Sequence, residues 1–249
     1  MVNITNKHIH IVTYATHSEG TFDELINNEF NVKIDVLGFG EKWENFMQSM
    51  LAFYEFMKQK NDDDIIVLLD AFDVCLNSST NNLIERFENM NTKILVSKDT
   101  NSYFTRKIFG ICRDGYIANT GMIMGYNKYL KSFFDKMINT VETTDDQREF
   151  NRTCNLVDFE VKVDSNEIIF RNVPHKQRSP TGGRIQNYKG TENFLGFPGQ
   201  HTVKRTLRGI KEYCPFFKVE ITILLVILIF GIAYIHLKNS DKNINSNNE

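Results

Sequence analysis

A chain of 249 residues has room for one domain of about 200 residues and a tail. Its composition is 41% hydrophobic and 24% charged, with 20 Phe and 9 Tyr, and suits a packed core. The formal net charge of −2 gives no electrostatic reason to expect a nucleic-acid partner.

Met1 to Lys7 is polar and runs straight into a strand-like segment, His8 to Tyr14. No basic stretch with an apolar run precedes that segment, so no secretory leader is expected. A short helix over Glu19 to Asn28 and an alternating second strand over Asn31 to Leu37 follow. Phe46, Met50, Phe53 and Met57 recur at helical spacing and predict a helix over Lys42 to Lys60. Asp64 to Leu69 is a continuous apolar run after its first residue, as in a strand covered on both faces. A helix capped by Thr80 and ending at Met90 leads to a strand over Lys93 to Ser97. Gly121 to Gly125 is a further strand, and an Asn127-capped helix runs from it to Asn139. This alternation predicts a mostly parallel α/β sheet flanked by helices, with ligands beyond the carboxyl ends of the strands. Lys176 to Gly190, rich in Gly and polar residues, reads as a loop.

Ile221 to Leu237 carries 17 residues without a formal charge when His236 is neutral. As a helix it covers roughly 25 Å, close to a thin bilayer, and Lys218 and Lys238 flank it. The expected organisation is a domain over 1–215, a membrane anchor over 216–238 and a polar tail over 239–249. Lys204, Arg205, Arg208, Lys211 and Lys218 precede the span, whereas only Lys238 and Lys242 follow it. That bias predicts a tail-anchored protein with its large domain in the cytosol. Cys75, Cys112, Cys154 and Cys214 are widely spaced, and four reduced thiols agree with that placement. Asn3-Ile-Thr, Asn77-Ser-Ser and Asn151-Arg-Thr match the glycosylation sequon, accidentally if the domain is cytosolic.

Chemistry concentrates at the end of the apolar run. Asp70 and Asp73 close it with Ala71 and Phe72 between them, and two carboxylates there can hold a hard divalent cation. Asn119-Thr-Gly121 places an amide and a hydroxyl at the entrance to an apolar strand, and Gly121 admits a ligand close to the backbone. Asp145 and Asp146 form a second acidic pair at a helix start. Each segment also has a plain structural use, as a turn or a helix cap.

Together these segments resemble the glycosyltransferase domain of the collagen lysyl hydroxylases and its viral and microbial relatives, over about residues 8 to 215. Thr13-Tyr-Ala-Thr16 with Glu19-Gly20 is similar to the family's first-strand nucleotide loop. Leu37-Gly-Phe-Gly-Glu-Lys-Trp43 is similar to the segment whose Trp lines the cleft. Asp70-Ala-Phe-Asp73 falls on the metal-binding Asp-x-x-Asp, Asn119-Thr-Gly121 on the start of the donor-sugar strand, and Asp145-Asp-Gln147 on the acidic run that faces the sugar. The resemblance implies a GT-A fold, a Rossmann-type sheet, and a Mn²⁺-dependent transfer of a hexose from a UDP-sugar to a hydroxyl acceptor. It assigns Thr13, Ala15, Thr16 and Trp43 to the nucleotide and Asn119, Thr120 and Gly121 to the donor sugar. Asp145 and Asp146 become catalytic residues, and Asp70 and Asp73 metal ligands. The family's Gly-Gly-Gln-Lys segment after the Trp is reduced here to Gln48, and the metal-binding His of its C-terminal turn falls on Gly196 or Pro198. His201 is the nearby imidazole and is taken as the third metal ligand. The alternative is a membrane-tethered domain that binds a nucleotide sugar or glycan without catalysing. A nucleotidyltransferase ranks third, because the loop Ala15-Thr-His-Ser-Glu-Gly20 has no Lys or Arg to grip a triphosphate.

Overall fold

Strand β3, Ile65–Asp70, is buried along its whole length except at its last residue, and the architecture is arranged around it. The computed structural model describes residues 7–174, 188, 190–198 and 213–246, with side chains as far as Tyr234. Strands β1 (Ile9–Tyr14) and β2 (Asp35–Leu37) lie on one side of β3, both parallel to it in direction. On the other side lie β6 (Ala118–Tyr126), then β5 (Ile94–Lys98) and β7 (Val161–Val163). Only β6 runs against the rest, so five of the six strands share a direction, as expected of a mostly parallel sheet.

The alternation of side chains along β3 feeds two cores. Ile66 and Leu68 pack with helices α2 (Phe46–Lys58), α5 (Asn127–Asn139) and α6 (Asp146–Cys154). Ile65, Val67 and Leu69 pack on the opposite face with α1 (Phe22–Ile26) and α3 (Leu83–Asn89). Helix α4 (Tyr103–Phe109) is a surface element closed by a capping box between Ser102 and Thr105. A second sheet of three short strands, β4 (Val74–Leu76), β9 (Phe194–Gly196) and β8 (Phe170–Asn172), covers the first near the end of β3.

Several boundaries differ from those read in the sequence. Helix α3 begins after Asn82 rather than Thr80, and Thr80 contributes its carbonyl to Leu83 N instead of a side-chain cap. The second strand shrinks to three residues because Asn31 takes a positive φ of 52° and turns the chain before it. Strand β6 starts at Ala118, so Asn119-Thr-Gly121 lies within a strand rather than in a turn ahead of it. Asn127 is the first residue of α5, and its amide donates to the carbonyls of Met57, Lys60 and Asn61.

The cysteine reading is corrected in one respect. Cys112 and Cys154 form a disulfide across 42 positions, while Cys75, which is buried, and Cys214, which is exposed, stand outside that bridge. Four reduced thiols are therefore not what the chain carries.

The chain divides into two units, Met1–Gln200 and His201–Glu249. The described part of the second is a 3₁₀ turn, Cys214–Phe217, continuing into helix α7, Lys218–Ser246. Within it, Cys214–Tyr234 is a 21-residue stretch long and apolar enough to cross a membrane. Its Ile, Leu and Val side chains are exposed, which is the reverse of a core helix.

Candidate active site

Strand direction and register gather the sequence motifs on one edge of the large sheet. Tyr14, the last residue of β1, stands opposite Leu37 at the end of β2 and Asp70 at the end of β3. Because β6 is antiparallel, its first residues lie at the same edge: Met122 faces Leu69, which brings Gly121 beside Asp70. A side chain added at Gly121 would stand 3.1 Å from Asp70 Oδ2 and 3.0 Å from Asn119 Oδ1, so the absence of a Cβ leaves that carboxylate its space. The β5–β6 register then jumps. Val96 faces Ile123, yet the next residue, Ser97, faces Asn119, so Thr120 to Met122 bulge away from β5.

The bulge aims Thr120 at helix α6. Thr120 Oγ1 donates to Asp146 Oδ2 at 2.8 Å, and Asp145 caps the helix by accepting from Arg148 N at 2.9 Å. Burial pushes the Asp146 carboxyl up to about 6, with the neighbouring Asp145 charge acting in the same direction and the Thr120 hydrogen bond opposing it. Helix α6 is tied to β6 by Asn151, whose amide pairs with both backbone groups of Ala118 at 2.8 and 3.0 Å and also donates to Gln147 O at 2.9 Å. Asn151 and Ala118 are fully buried. The disulfide holds the far end of α6, at Cys154, to the turn around Cys112.

The first loop is built against the carboxylate turn. Gly20 has a φ of +60°, and a Cβ there would fall 2.0 Å from the Phe72 carbonyl, between Asp70 and Asp73. Thr21 adds two hydrogen bonds, N to Phe72 O at 3.0 Å and Oγ1 to Val74 O at 2.8 Å. On the other side Phe197 N donates to Asp73 O at 2.6 Å, which sets the segment after β9 against the same turn.

The residues assigned to the nucleotide divide in two. Thr13 is buried, with its hydroxyl on Leu69 O at 2.7 Å, so its side chain ties β1 to β3 and faces no cleft. Ala15 N and Thr16 O bond the β2 loop at Leu37 O and Gly40 N, while Thr16 Oγ1 meets His17 Nδ1 at 2.9 Å. Trp43 is 40% exposed and stands on Tyr14 and Phe46, with ring centroids at 6.1 and 5.5 Å. Tyr14 itself packs over Gly38, where a Cβ would approach its ring to 2.3 Å, and donates to Glu41 at 3.0 Å.

Two features escape a linear reading. Asp99, just past β5, accepts from Gln147 Nε2 at 2.6 Å, and Ser97 Oγ donates to Asn119 O at 2.8 Å. Only the tertiary pairing of β5 with β6 and α6 makes either visible. Gly196, one of the two positions matching the family's His, lies in β9, where an added Cβ would sit 2.2 Å from Asn172 Oδ1. A side chain there would have to displace the Asn172 amide and the Met122 methyl, and Pro198 has no side-chain ligand atom. His201 lies outside the described residues. Among the described residues no three His, Cys, Asp or Glu side chains come together as a metal-holding group.

The family model of the PLOD GT domain matches residues 5–189. The chain belongs to that family. It is a glycosyltransferase domain. No curated protein matches the sequence. Solved structures with a similar course of the chain include a galactosyltransferase, LgtC, in complex with donor and acceptor sugar analogs. That match has 14% identity and a TM-score of 0.42, and it covers 82% of this chain and 94% of that one. The apo bifunctional glycosyltransferase WbbM matches at 12% identity with a TM-score of 0.47, over 81% of this chain and 48% of that one. The 4-diphosphocytidyl-2C-methyl-D-erythritol synthase of Anaerococcus prevotii matches at 11% identity with a TM-score of 0.37, over 63% of this chain and 88% of that one. These likenesses are remote, and the family assignment rests on the sequence match alone.

Proposed function

We propose that this glycosyltransferase moves a hexose from a UDP-sugar to a hydroxyl acceptor and works with a divalent cation such as Mn²⁺. The observation that carries the reading is the meeting of Asp70 with Gly121 and Asn119 at the sheet edge, which joins a diphosphate-binding turn to a sugar-binding strand. Asp70 and Asp73 fit a hard cation, since both offer carboxylate oxygen and Gly121 leaves room beside Asp70 for further oxygen ligands. When bound there, the cation supplies Lewis-acid neutralisation of the leaving diphosphate. Trp43, half-exposed on its aromatic footing, offers a face for the uracil ring. Asn119 and Thr120 present polar groups to sugar hydroxyls, and Asp146 is hydrogen-bonded to the Thr120 hydroxyl.

The test uses the full chain in detergent micelles with a panel of UDP-hexoses. The wild type is expected to release UDP from at least one of them with Mn²⁺ present. Asp73→Asn removes a charge and keeps the shape, so it should lose Mn²⁺-dependent UDP binding while its thermal transition stays in place. Equal wild-type affinity for UDP with and without Mn²⁺ would remove the metal assignment. UDP bound but never released from a donor would make the chain a binding domain.

The apolar helix is a single membrane anchor in this reading. The Cys112–Cys154 bridge bears on which side the domain faces, because such bonds persist where thiols are oxidised and are rare in a reducing cytosol. We place the domain on the oxidising side. This reverses the cytosolic placement expected from the flanking charges, which express a bias of insertion rather than the chemistry of the compartment.

A further inference from the structure

The donor-sugar side of the cleft contains one amide whose orientation decides what it can recognise. Gln147, the second residue of α6, lies between Asp99 and Asn119: its Nε2 donates to Asp99 Oδ2 at 2.6 Å, and Asn119 Nδ2 reaches its Oε1 at 3.5 Å. An ionised carboxylate only accepts hydrogen bonds, so Asp99 can be satisfied solely by the NH₂ end of that amide. The other oxygen of Asp99 is held at 2.5 Å by the backbone N–H of Thr100. Its backbone N–H is fixed in turn on Ile117 O at 2.9 Å, so Asp99 is anchored on both sides of its Cα. We propose that Asp99 is a positioning residue for sugar transfer: it locks Gln147 with its carbonyl oxygen towards Asn119 and the donor sugar, so that this wall accepts hydrogen bonds from sugar hydroxyls. The proposal rests on the donor-sugar reading given above.

The chemistry predicts a specific pattern of loss and rescue. Asp99→Asn keeps the size but can donate, so Gln147 is free to turn its NH₂ into the cleft. Gln147→Glu sets two carboxylates against each other at hydrogen-bond distance and pushes the side chain away. In Asp99→Asn/Gln147→Glu the amide at 99 donates to the carboxylate at 147, and an oxygen again faces the cleft. With the full chain in detergent and the donor found active in the panel, each single variant should lose about tenfold or more in kcat, with UDP affinity within about twofold of wild type. The double variant should recover most of that loss. A merely structural role would shift thermal stability and UDP affinity along with kcat, and the double exchange would rescue nothing. Wild-type kcat in Asp99→Asn, or a double variant no better than the weaker single one, would overturn the role of Asp99 alone. A wild type that turns over no UDP-hexose would overturn the donor reading, and this role with it.

Discussion

Asp146 combines two opposed demands. It is half-buried, which favours the neutral acid, and it receives the Thr120 hydroxyl, which favours the carboxylate. Burial wins, and the group titrates at about 6 instead of the ordinary 3.8. Because the folded-state value is raised, the stability linked to its proton is fully present below about pH 4 and is lost as pH rises through about 6. The proposed binding of a sugar hydroxyl by the carboxylate has the opposite sense. We expect kcat/KM to fall as pH drops through about 6 while the fold becomes slightly more stable over the same interval. Asp146→Asn should erase that acid limb from the pH–rate profile and lower the plateau. A wild-type profile flat across this range would show that another group governs the turnover.

At the scale of elements, the site depends on how α6 is fastened to β6. Asn151 satisfies both backbone groups of a buried residue on a bulged strand, so Asn151→Ala leaves Ala118 N and O without these partners. Each orphaned group costs about 1–3 kcal/mol, and we expect a loss of about 2–4 kcal/mol in urea unfolding, with kcat reduced through displacement of Asp146 and Gln147. A loss below about 0.5 kcal/mol, the range of a surface substitution, would contradict this fastening. None of this can be read from the sequence, where Asn151 looks like a sequon and α6 begins as an acidic turn. The long strands β1 and β3 and the helix α5 were legible, because six or more residues of apolar run or helical period carry their own signal. Strands β4, β7, β8 and β9 have three residues each and no period to detect. The Asp70, Asn119 and Asp145–Asp146 segments were legible as motifs. Their convergence was not, since it follows from the antiparallel course of β6.

At the scale of the whole molecule, the disulfide and the apolar helix make separable claims. Without reductant, alkylation of the unfolded chain should modify two cysteines, Cys75 and Cys214, and after reduction all four. In sealed microsomes the domain should resist added protease until detergent is supplied. Four alkylated thiols without reductant, or digestion of the domain in intact vesicles, would return it to the cytosol.

The fastening asparagine has a consequence for how the chain is made. Oligosaccharide transfer to a sequon requires the asparagine amide nitrogen, and in the folded domain both described sequons have spent theirs. Asn151 donates to Ala118 and Gln147, and Asn77 to the carbonyls of Gly190 and Glu192. On the oxidising side of a membrane, sugar addition at Asn151 and closure of α6 onto β6 would therefore compete in time. A glycan at Asn151 would block that closure, and its occupancy in a preparation would count the molecules modified before they folded.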